Sequence, residues 1–440
     1  MTISKNKLAI SIEEFLNSRY KEYSEYVLYS RAIPSMIDGF KPSQRKLIYT
    51  ADKVCKSSLI KCASLAGDVI SKANYHHGNA SLESAINVMV QPFKNNVPWF
   101  KGKGTFGSRL VPVAAAARYT YARMSPDFYK YFKDFEVTDS SPDPEDPEPT
   151  HYLPIIPTVL LNGIKGIAVG FATEIQPRNP KELADICTRY LNGENIDNIE
   201  LKPYYEGFKG RIVNNGDNYK CFGVVTPQKR YDVKITELPI GVSREKYVET
   251  LIKLEDDGII KSYSDRCSKV GFDFNVRLSS DPKILSTDEL CELLNLTSNL
   301  NENITVIDEH GKLKLYDNPN DIVKDFCEFR KTKYVERYKC WYDRDKEKKR
   351  VVDIKIQFIN AVLNEKIVLK GKSKAQIKAM LGKTKLPNDL IDTLISMPLY
   401  SICKDGLDDL KAKSEEYRLS MEKWLNINTV SEYKKELKTI

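Results

Sequence analysis

No cysteine stands in a CxxC pair, and the nine cysteines of this 440-residue chain are scattered and odd in number. That spacing excludes a disulfide framework. With only four histidines it also offers no ligand set for structural zinc. It fits reduced thiols in a cytosol, mostly serving as small core residues. Long hydrophobic runs are missing too. The most apolar stretch, Tyr152–Phe171, is broken by Pro154, Pro157, Asn162, Lys165 and three glycines, whereas a membrane span needs about 20 clean apolar residues. The N-terminus, MTISKNKLAI followed by Glu13 and Glu14, lacks the apolar core of a signal peptide. No internal repeat is visible.

Hydrophobic residues make up 41% of the chain and charged residues 29%. That balance is globular and excludes a largely disordered chain. The length implies two to four domains. The net charge of +8 is modest for the size, so its placement carries more information than its total. Residues 31–123 hold 14 Lys and Arg against 4 Asp and Glu, a local +10. Acid is what this segment lacks, and the excess is an electrostatic footprint for nucleic acid.

Residues 1–30 are amphipathic and rich in tyrosine, and they predict one helix with Ser11 as its N-cap. Pro42 can open a helix over 41–54, and a second helix is expected near 58–73. A third is marked by Leu82, Ala85, Ile86, Met89, Val90 and Phe93, which share one helical face. Short helices in a basic segment suggest a helix-turn-helix or winged-helix module. Asp139–Thr150, with five acids, four prolines and no base, reads as an extended linker or surface loop. Residues 151 to about 318 mix β-rich runs (159–172, 210–213, 231–238, 272–278) with short helices, an α+β domain. Asn320–Lys370 contains neither glycine nor proline and predicts an unusually long helix. A second charged helix over 405–424 would pair with it as an antiparallel coiled-coil arm carrying a compact insert.

Several motifs have a plain explanation. Gly102-Lys-Gly104-Thr-Phe-Gly107 fits GxGxxG, yet no strand–helix context for a dinucleotide site surrounds it. A flexible basic turn against a phosphate backbone suits it better. Gly371-Lys-Ser373 and Gly382-Lys-Thr384 lack the earlier glycine of a Walker A loop. Asp343-Arg-Asp345 reads as a solvated helix face. The adjacent His76 and His77 cannot share a helix face as metal ligands, but between two helices of the basic segment they suit DNA contact or proton transfer. In Ala114–Ser125, four alanines precede Arg118-Tyr119. A tyrosine hydroxyl is ordinarily a weak nucleophile, with a pKa of about 10. A neighbouring cation stabilises phenolate and phosphoryl charge alike, and arginine grips phosphate oxygens bidentately.

These pieces, taken in order, resemble a known family. Ser30-Arg-Ala-Ile-Pro-Ser-Met-Ile-Asp-Gly-Phe-Lys-Pro-Ser-Gln-Arg-Lys-Leu-Ile-Tyr49, Tyr75-His-His-Gly78, Gly102–Gly107 and Ala117-Arg-Tyr-Thr120 follow one another as in the breakage–reunion (A-type) part of type IIA DNA topoisomerases. Leu153–Pro157, Asn162-Gly163, Gly166–Gly170, Ile175–Pro180 and Met397-Pro-Leu-Tyr400 look like that family's later blocks. The short length and paired histidines look most like the form carried by T-even bacteriophages.

The resemblance implies roles. Tyr119 would be the nucleophile that becomes linked to a DNA 5′ phosphate, with Tyr121 a bystander. Arg118 would stabilise the transition state, and Arg31 and His77 would help at the scissile phosphate. Lys41, Arg45 and Lys46 would lie on the helix facing DNA, with Lys72, His76, Lys101 and Lys103 as further DNA contacts. Ile175 would be the apolar wedge that bends DNA, exchanging about a few kcal/mol of unstacking for a larger wrapped surface. No metal ligand is assigned to this chain. Mg²⁺ and ATP would be bound by an ATPase and metal-binding partner subunit. The chain would act as a homodimer on double-stranded DNA, away from membranes, in the cytoplasm of a phage-infected bacterium.

The implied organisation is α+β and multidomain: an N-terminal helical arm (1–30), a winged-helix DNA-cleavage domain with its acidic linker (31–150), a tower domain (151–319), and a coiled-coil arm with a dimerisation region (320–440). The expected activity is ATP-dependent relaxation, decatenation and unknotting, since a gyrase-type wrapping domain is not expected at this length. The rival reading is a non-enzymatic dimeric helix-turn-helix and coiled-coil DNA-binding protein.

Overall fold

The computed structural model describes residues 11–216, 218–282, 285–369, 371–384, 386–398 and 404–440. Two compact units emerge, one running up to Arg330 and including Lys434–Ile440, the other Lys331–Tyr433.

The first unit opens with a continuous helical run. Ser11 caps α1 (Ile12–Phe15), its hydroxyl accepting from the Glu14 amide at 3.1 Å. A π-turn at Leu16–Tyr20, α2 (Lys21–Val27) and a second π-turn at Leu28–Ala32 follow. The part of the expected arm before Ser11 lies outside the described residues. Next come α3 (Pro42–Val54), β1 (Ile60–Lys61), α4 (Cys62–Lys72) and α5 (Asn79–Val90). α5 buries Leu82, Ile86, Met89 and Val90 of the predicted stripe, while Ala85 is only partly buried and Phe93 lies beyond the helix end. β2 (Phe100–Lys103) and β3 (Tyr121–Met124) complete an antiparallel sheet in the order β1-β3-β2.

α6 (Phe128–Tyr131) leads into β4 (Phe132–Lys133), which pairs with β5 (Leu153–Pro154). Here an aromatic core forms: Phe128 stacks on Phe132 at 4.4 Å, and Phe40 and Trp99 lie 5.3 and 5.1 Å from the same ring. The acidic segment between these strands is no extended linker. Ser140 bridges to Pro149, and the Thr150 amide donates to the Asp139 carbonyl at 2.9 Å, so the loop closes on itself. The Lys46 ammonium draws it onto α3, 2.6 Å from Asp146 and 2.8 Å from Glu148.

α7 (Thr158–Asn162) precedes the hairpin β6 (Ile164–Ile167) and β7 (Ala172–Ile175). The run 159–172 was expected to be β-rich, but its first residues are helical. Gly163, at φ 63°, ends that turn, and a Cβ there would meet the Ile175 carbonyl oxygen at 2.3 Å. Then follow α8 (Pro180–Leu191), β8 (Arg211–Asn214), β9 (Tyr219–Phe222), β10 (Val224–Pro227), β11 (Asp232–Glu237), α9 (Arg244–Asp256), β12 (Ile260–Asp265), β13 (Phe274–Leu278), α10 (Thr287–Leu293), β14 (Thr297–Leu300), β15 (Ile304–Ile307) and β16 (Leu313–Tyr316). An antiparallel sheet β10-β11-β13-β12 buries alternate residues such as Val233, Ile235, Phe274 and Val276 against Tyr247 and Leu251 of α9. A second sheet has the order β14-β9-β8.

α11 (Pro319–Leu363) runs 45 residues. Its first turns belong to the first unit. Asn320 Nδ2 donates to the carbonyls of Ile196 and Ile199 at 2.8 Å each, and buried Arg330 pairs with Asp134. Within the second unit, α12 (Lys374–Leu381) and α13 (Ile391–Ile395) form a compact insert. Phe358, Ile359, Leu381, Ile391 and Leu394 bury its core. Leu399 and Tyr400 of the Met397–Tyr400 motif lie outside the described residues. α14 (Lys404–Leu425) returns antiparallel to α11. Ser414 Oγ donates to Asp353 at 2.5 Å, and Trp424 Nε1 donates to Asp345 at 2.8 Å. Asp345 is therefore not on a solvated face; it is buried as the acceptor for an indole N–H. α15 (Thr429–Leu437) ends the chain.

None of the eight described cysteines is in a disulfide, and six are buried. Burial pushes the Cys55 thiol up to about 12. Among the described residues no helix is long and apolar enough to cross a membrane.

Candidate nucleic-acid interface

The free amides at the start of α4 need acceptors. The turn before β3 supplies them: the Cys62 amide donates to the Thr120 carbonyl at 3.0 Å, and the Ala63 amide to the Ala117 carbonyl at 3.3 Å. The two carbonyls face inward, Ala117 and Thr120 are buried, and Arg118 and Tyr119 between them project outward. Tyr119 is 66% exposed. The Arg118 guanidinium carbon lies 4.9 Å from the centre of the Tyr119 ring. The Arg118–Tyr119 pair is thus stacked and solvent-facing on a backbone-fastened turn.

The GxGxxG glycines now have a structural reason. A Cβ on Gly102 would meet Phe106 at 2.4 Å and Val90 at 2.6 Å. Gly104, at φ 111°, lets β2 end beside the Tyr119 carbonyl, 3.3 Å from where a Cβ would be. Close packing beneath the Tyr119 turn fixes them.

Across the sheet, Lys101 is opposite Arg123, and Lys103 and Lys61 both flank Tyr121. Opposed residues share a face, so four cations and Tyr121 line one side while Phe100, Ala122 and Met124 are buried on the other. Like charges placed opposite each other are unfavourable. Asp127, 3.9 Å from Lys101, offers that group an ion pair at the edge of contact range. Such a face gains stability from a polyanion. Lys61 and Arg123 were missed in the sequence, because a two-residue strand such as β1 leaves no pattern; only the register brings them beside Lys101 and Lys103.

A second group forms around His77. Arg31 Nη2 lies 2.7 Å from its Nδ1, and the Tyr26 hydroxyl lies 3.0 Å from its Nε2. Tyr75 meets the ring edge-on at 5.3 Å. Partial burial first, then Arg31 and His76, hold the His77 imidazole below its ordinary pKa. His76 is exposed beside it. These residues line a groove of about 710 Å³ whose far wall is the acidic loop. No described hydrogen bond or ion pair joins this group to Arg118–Tyr119 within the one chain.

The remaining expected DNA contacts are placed differently. Arg45 is buried, gripping buried Asp38 through two bonds of 2.8 and 3.1 Å. Lys46 is buried and holds the acidic loop. Burial pushes Glu148 up despite Lys46. Lys41 donates to the Lys165 carbonyl at 2.8 Å, and burial lowers its pKa. As placed, Arg45 and Lys46 face inward and brace the unit, while Lys41, the N-cap of α3, is only partly buried. Lys72 is exposed and paired with Asp68 at 2.6 Å. Ile175 is only 3% exposed, at the base of its hairpin; Ile167 and Phe171 are the exposed apolar residues there, at 77% and 50%. Ile175 faces a cavity of about 740 Å³ that Lys41 also lines.

Among the described residues no three or more His, Cys, Asp or Glu side chains are grouped to hold a metal ion. The donors around Tyr119 do not suit a divalent cation.

The family model for the DNA gyrase/topoisomerase IV A subunit matches residues 31–439. The DNA topoisomerase medium subunit of Enterobacteria phage T4 is 34% identical, with 98% of each chain covered. The mitochondrial DNA topoisomerase 2 of Dictyostelium discoideum is 31% identical over 93% of this chain but only 34% of its own length. In structure, the DNA-binding, cleavage and re-ligation domain of Plasmodium falciparum topoisomerase II is similar. It has a TM-score of 0.86 and 29% identity, covering 98% of this chain and 64% of that one. The mixed α/β fold, the ordered motifs and the match over nearly the whole chain agree: the chain belongs to the DNA gyrase/topoisomerase IV A subunit family.

Proposed function

We propose that this chain is the DNA-cleaving and religating subunit of an ATP-dependent type II DNA topoisomerase, carried by a bacteriophage and working in the cytoplasm of its bacterial host. The observation that carries this is the stacked, exposed Arg118–Tyr119 pair beside a sheet face of largely unneutralised cations. Tyr119 Oη attacks a DNA phosphorus. The bond from phosphorus to the 3′ oxygen breaks, a 3′ hydroxyl leaves with a proton, and the 5′ phosphate stays on the tyrosine. Reversal reseals the strand, because the phosphotyrosyl link retains the phosphodiester energy. Arg118 stabilises charge on the phosphoryl oxygens, and Arg31 and His77 hold a phosphate in the groove they share. Ile175 is read as a wedge that DNA draws out of its hairpin base.

The three helices with the small sheet support a winged-helix reading of 31–150. The sheets of 151–319 read as a tower, and the antiparallel α11 and α14 of 320–440 as a coiled-coil arm with a dimerisation insert. The helical run from Ile12 supports reading the N-terminal segment as a helical arm. Two strands need two tyrosines, hence a homodimer. The family generally uses Mg²⁺ and ATP, and both are assigned to a partner subunit.

The test mixes the chain with that partner, supercoiled DNA and Mg²⁺, followed by detergent and protease. Protein-linked linear DNA is expected from wild type and Tyr121→Phe but not from Tyr119→Phe. If all three bind DNA and none ever forms an adduct, the protein is instead a dimeric helix-turn-helix DNA-binding protein without catalysis.

A further inference from the structure

We propose that Glu302 is a positioning residue for Ile175, and that residues 301–303 clamp the strand that carries it. This rests on the wedge reading of Ile175 and deepens it.

A wedge works only if its own strand resists the stack of bases it enters. A two-stranded hairpin alone resists little. β7, however, is held on both edges. On one it pairs with β6, with Ile175 opposite Ile164. On the other, Glu174 and Asn303 exchange two main-chain bonds of 2.9 Å each. The Thr173 hydroxyl adds a bond to the Asn303 carbonyl at 3.3 Å.

Side chains close the clamp on the far side of Ile175. The Glu302 carboxylate accepts from the Gln176 amide at 2.9 Å through Oε1 and from Arg178 Nη2 at 2.7 Å through Oε2. Gln176 Nε2 donates to the Asn301 carbonyl at 2.7 Å. Arg178 is fully buried, and its Nε and Nη1 donate to the carbonyls of Leu201 and Gln176 at 2.7 Å each. Bonds to a charged acceptor are roughly twice as strong as neutral ones. The residues before and after Ile175 are thus bonded to one tripeptide, while the Ile175 side chain faces the cavity.

The same segment runs on into β15. The Ile307 amide donates to the Pro34 carbonyl at 2.9 Å, and the Met36 amide to the Ile307 carbonyl at 2.8 Å. Pro34 stands just after Arg31. One short stretch of chain therefore fixes the wedge strand relative to the segment that carries a phosphate-holding arginine. Both Glu302 oxygens are engaged on residues 176 and 178, so it acts through Ile175 rather than on DNA.

Bending is read by energy transfer between dyes at the two ends of a duplex, at saturating DNA with the partner subunit present. Transfer should rise when wild type binds. Most of that rise should be lost with Ile175→Ala and with Glu302→Ala, and adduct formation with Mg²⁺ should slow about tenfold in each, since a small misplacement far from the chemistry is costly in rate. In an Ile175→Ala background Glu302→Ala should cost nothing more. Glu302→Ala leaves buried Arg178 without its carboxylate, so melting curves give the folded fraction. Gln176→Met is the second cut: it removes the Asn301 bond, leaves Arg178 paired and should also lose bending. Glu302→Gln keeps an acceptor for the Gln176 amide and should retain the bend. Full bending by folded Glu302→Ala and Gln176→Met, beside a lost bend in Ile175→Ala, overturns the clamp and leaves the wedge. So do losses that multiply in the double variant, or a Glu302→Gln loss equal to that of Glu302→Ala. Full bending by Ile175→Ala overturns wedge and clamp together. The transfer signal needs no strand breakage, so a failure of the cleavage reading would show separately, as absent adduct.

Discussion

Arg45 shows how a residue's chemistry and its placement diverge. In the sequence it is one of several cations on a helix read as facing DNA. In the fold its guanidinium closes on Asp38, which also accepts from the Phe40 and Tyr152 amides at 3.0 Å each. Removing one partner of a buried pair leaves the other charge unsolvated, a loss of about 3–5 kcal/mol. Arg45→Met should therefore lower unfolding stability by that order in a denaturant titration. DNA affinity of the fraction still folded should hardly change. A loss of affinity without a loss of stability would return Arg45 to the DNA surface. The exposure that the proposed roles of Arg118 and Tyr119 require is what the turn gives them. The placement of Arg45 and Lys46 was not legible in the sequence, because their partners, Asp38 and the acidic loop, are brought to them only by tertiary structure.

At the scale of the element, the β2 strand depends on having no side chain at Gly102. Valine there would drive branched carbons into Phe106 and Val90, where even a Cβ would be 2.4 and 2.6 Å away. Overpacking of this kind costs about 1–3 kcal/mol. Because β2 pairs with β3 directly after the Tyr119 turn, Gly102→Val should lower both melting temperature and adduct yield. Gly216→Ala is the contrast for crowding: its Cβ would meet nothing, although its positive φ of 81° carries its own strain. Elements with a strong period were readable: the buried stripe of α5, and the glycine- and proline-free α11. The helix α7 was not, since a five-residue apolar run has no period, and only Pro157 before it and Gly163 after it bound the turn. The acidic loop looked extended because proline and like charges favour extension. Lys46 supplied the missing counter-charge.

For the whole molecule, a net +8 says little, while the sheet face with Lys61, Lys101, Lys103 and Arg123 says where an anionic rod would lie. Each phosphate neutralised contributes about 0.9 to the slope of log affinity against log salt. Lys101→Ala with Lys103→Ala should thus lower that slope by about 2 in binding titrations on duplex DNA. Binding should weaken alike for all sequences, since phosphate contacts carry no base code. An unchanged slope would move the DNA path elsewhere. The grouping of these four cations came from strand register and the composition of 31–123 only hinted at it.

The Arg118–Tyr119 turn is fastened through main-chain carbonyls at Ala117 and Thr120, and neither the Arg118 nor the Tyr119 side chain takes part in holding it. A protein that loses its chemistry here keeps its shape. In the proposed homodimer, Tyr119→Phe chains should therefore still pair with normal ones and spoil them. In a cell making both, the lesion would behave as genetically dominant, whereas a destabilising lesion such as Arg45→Met would be recessive.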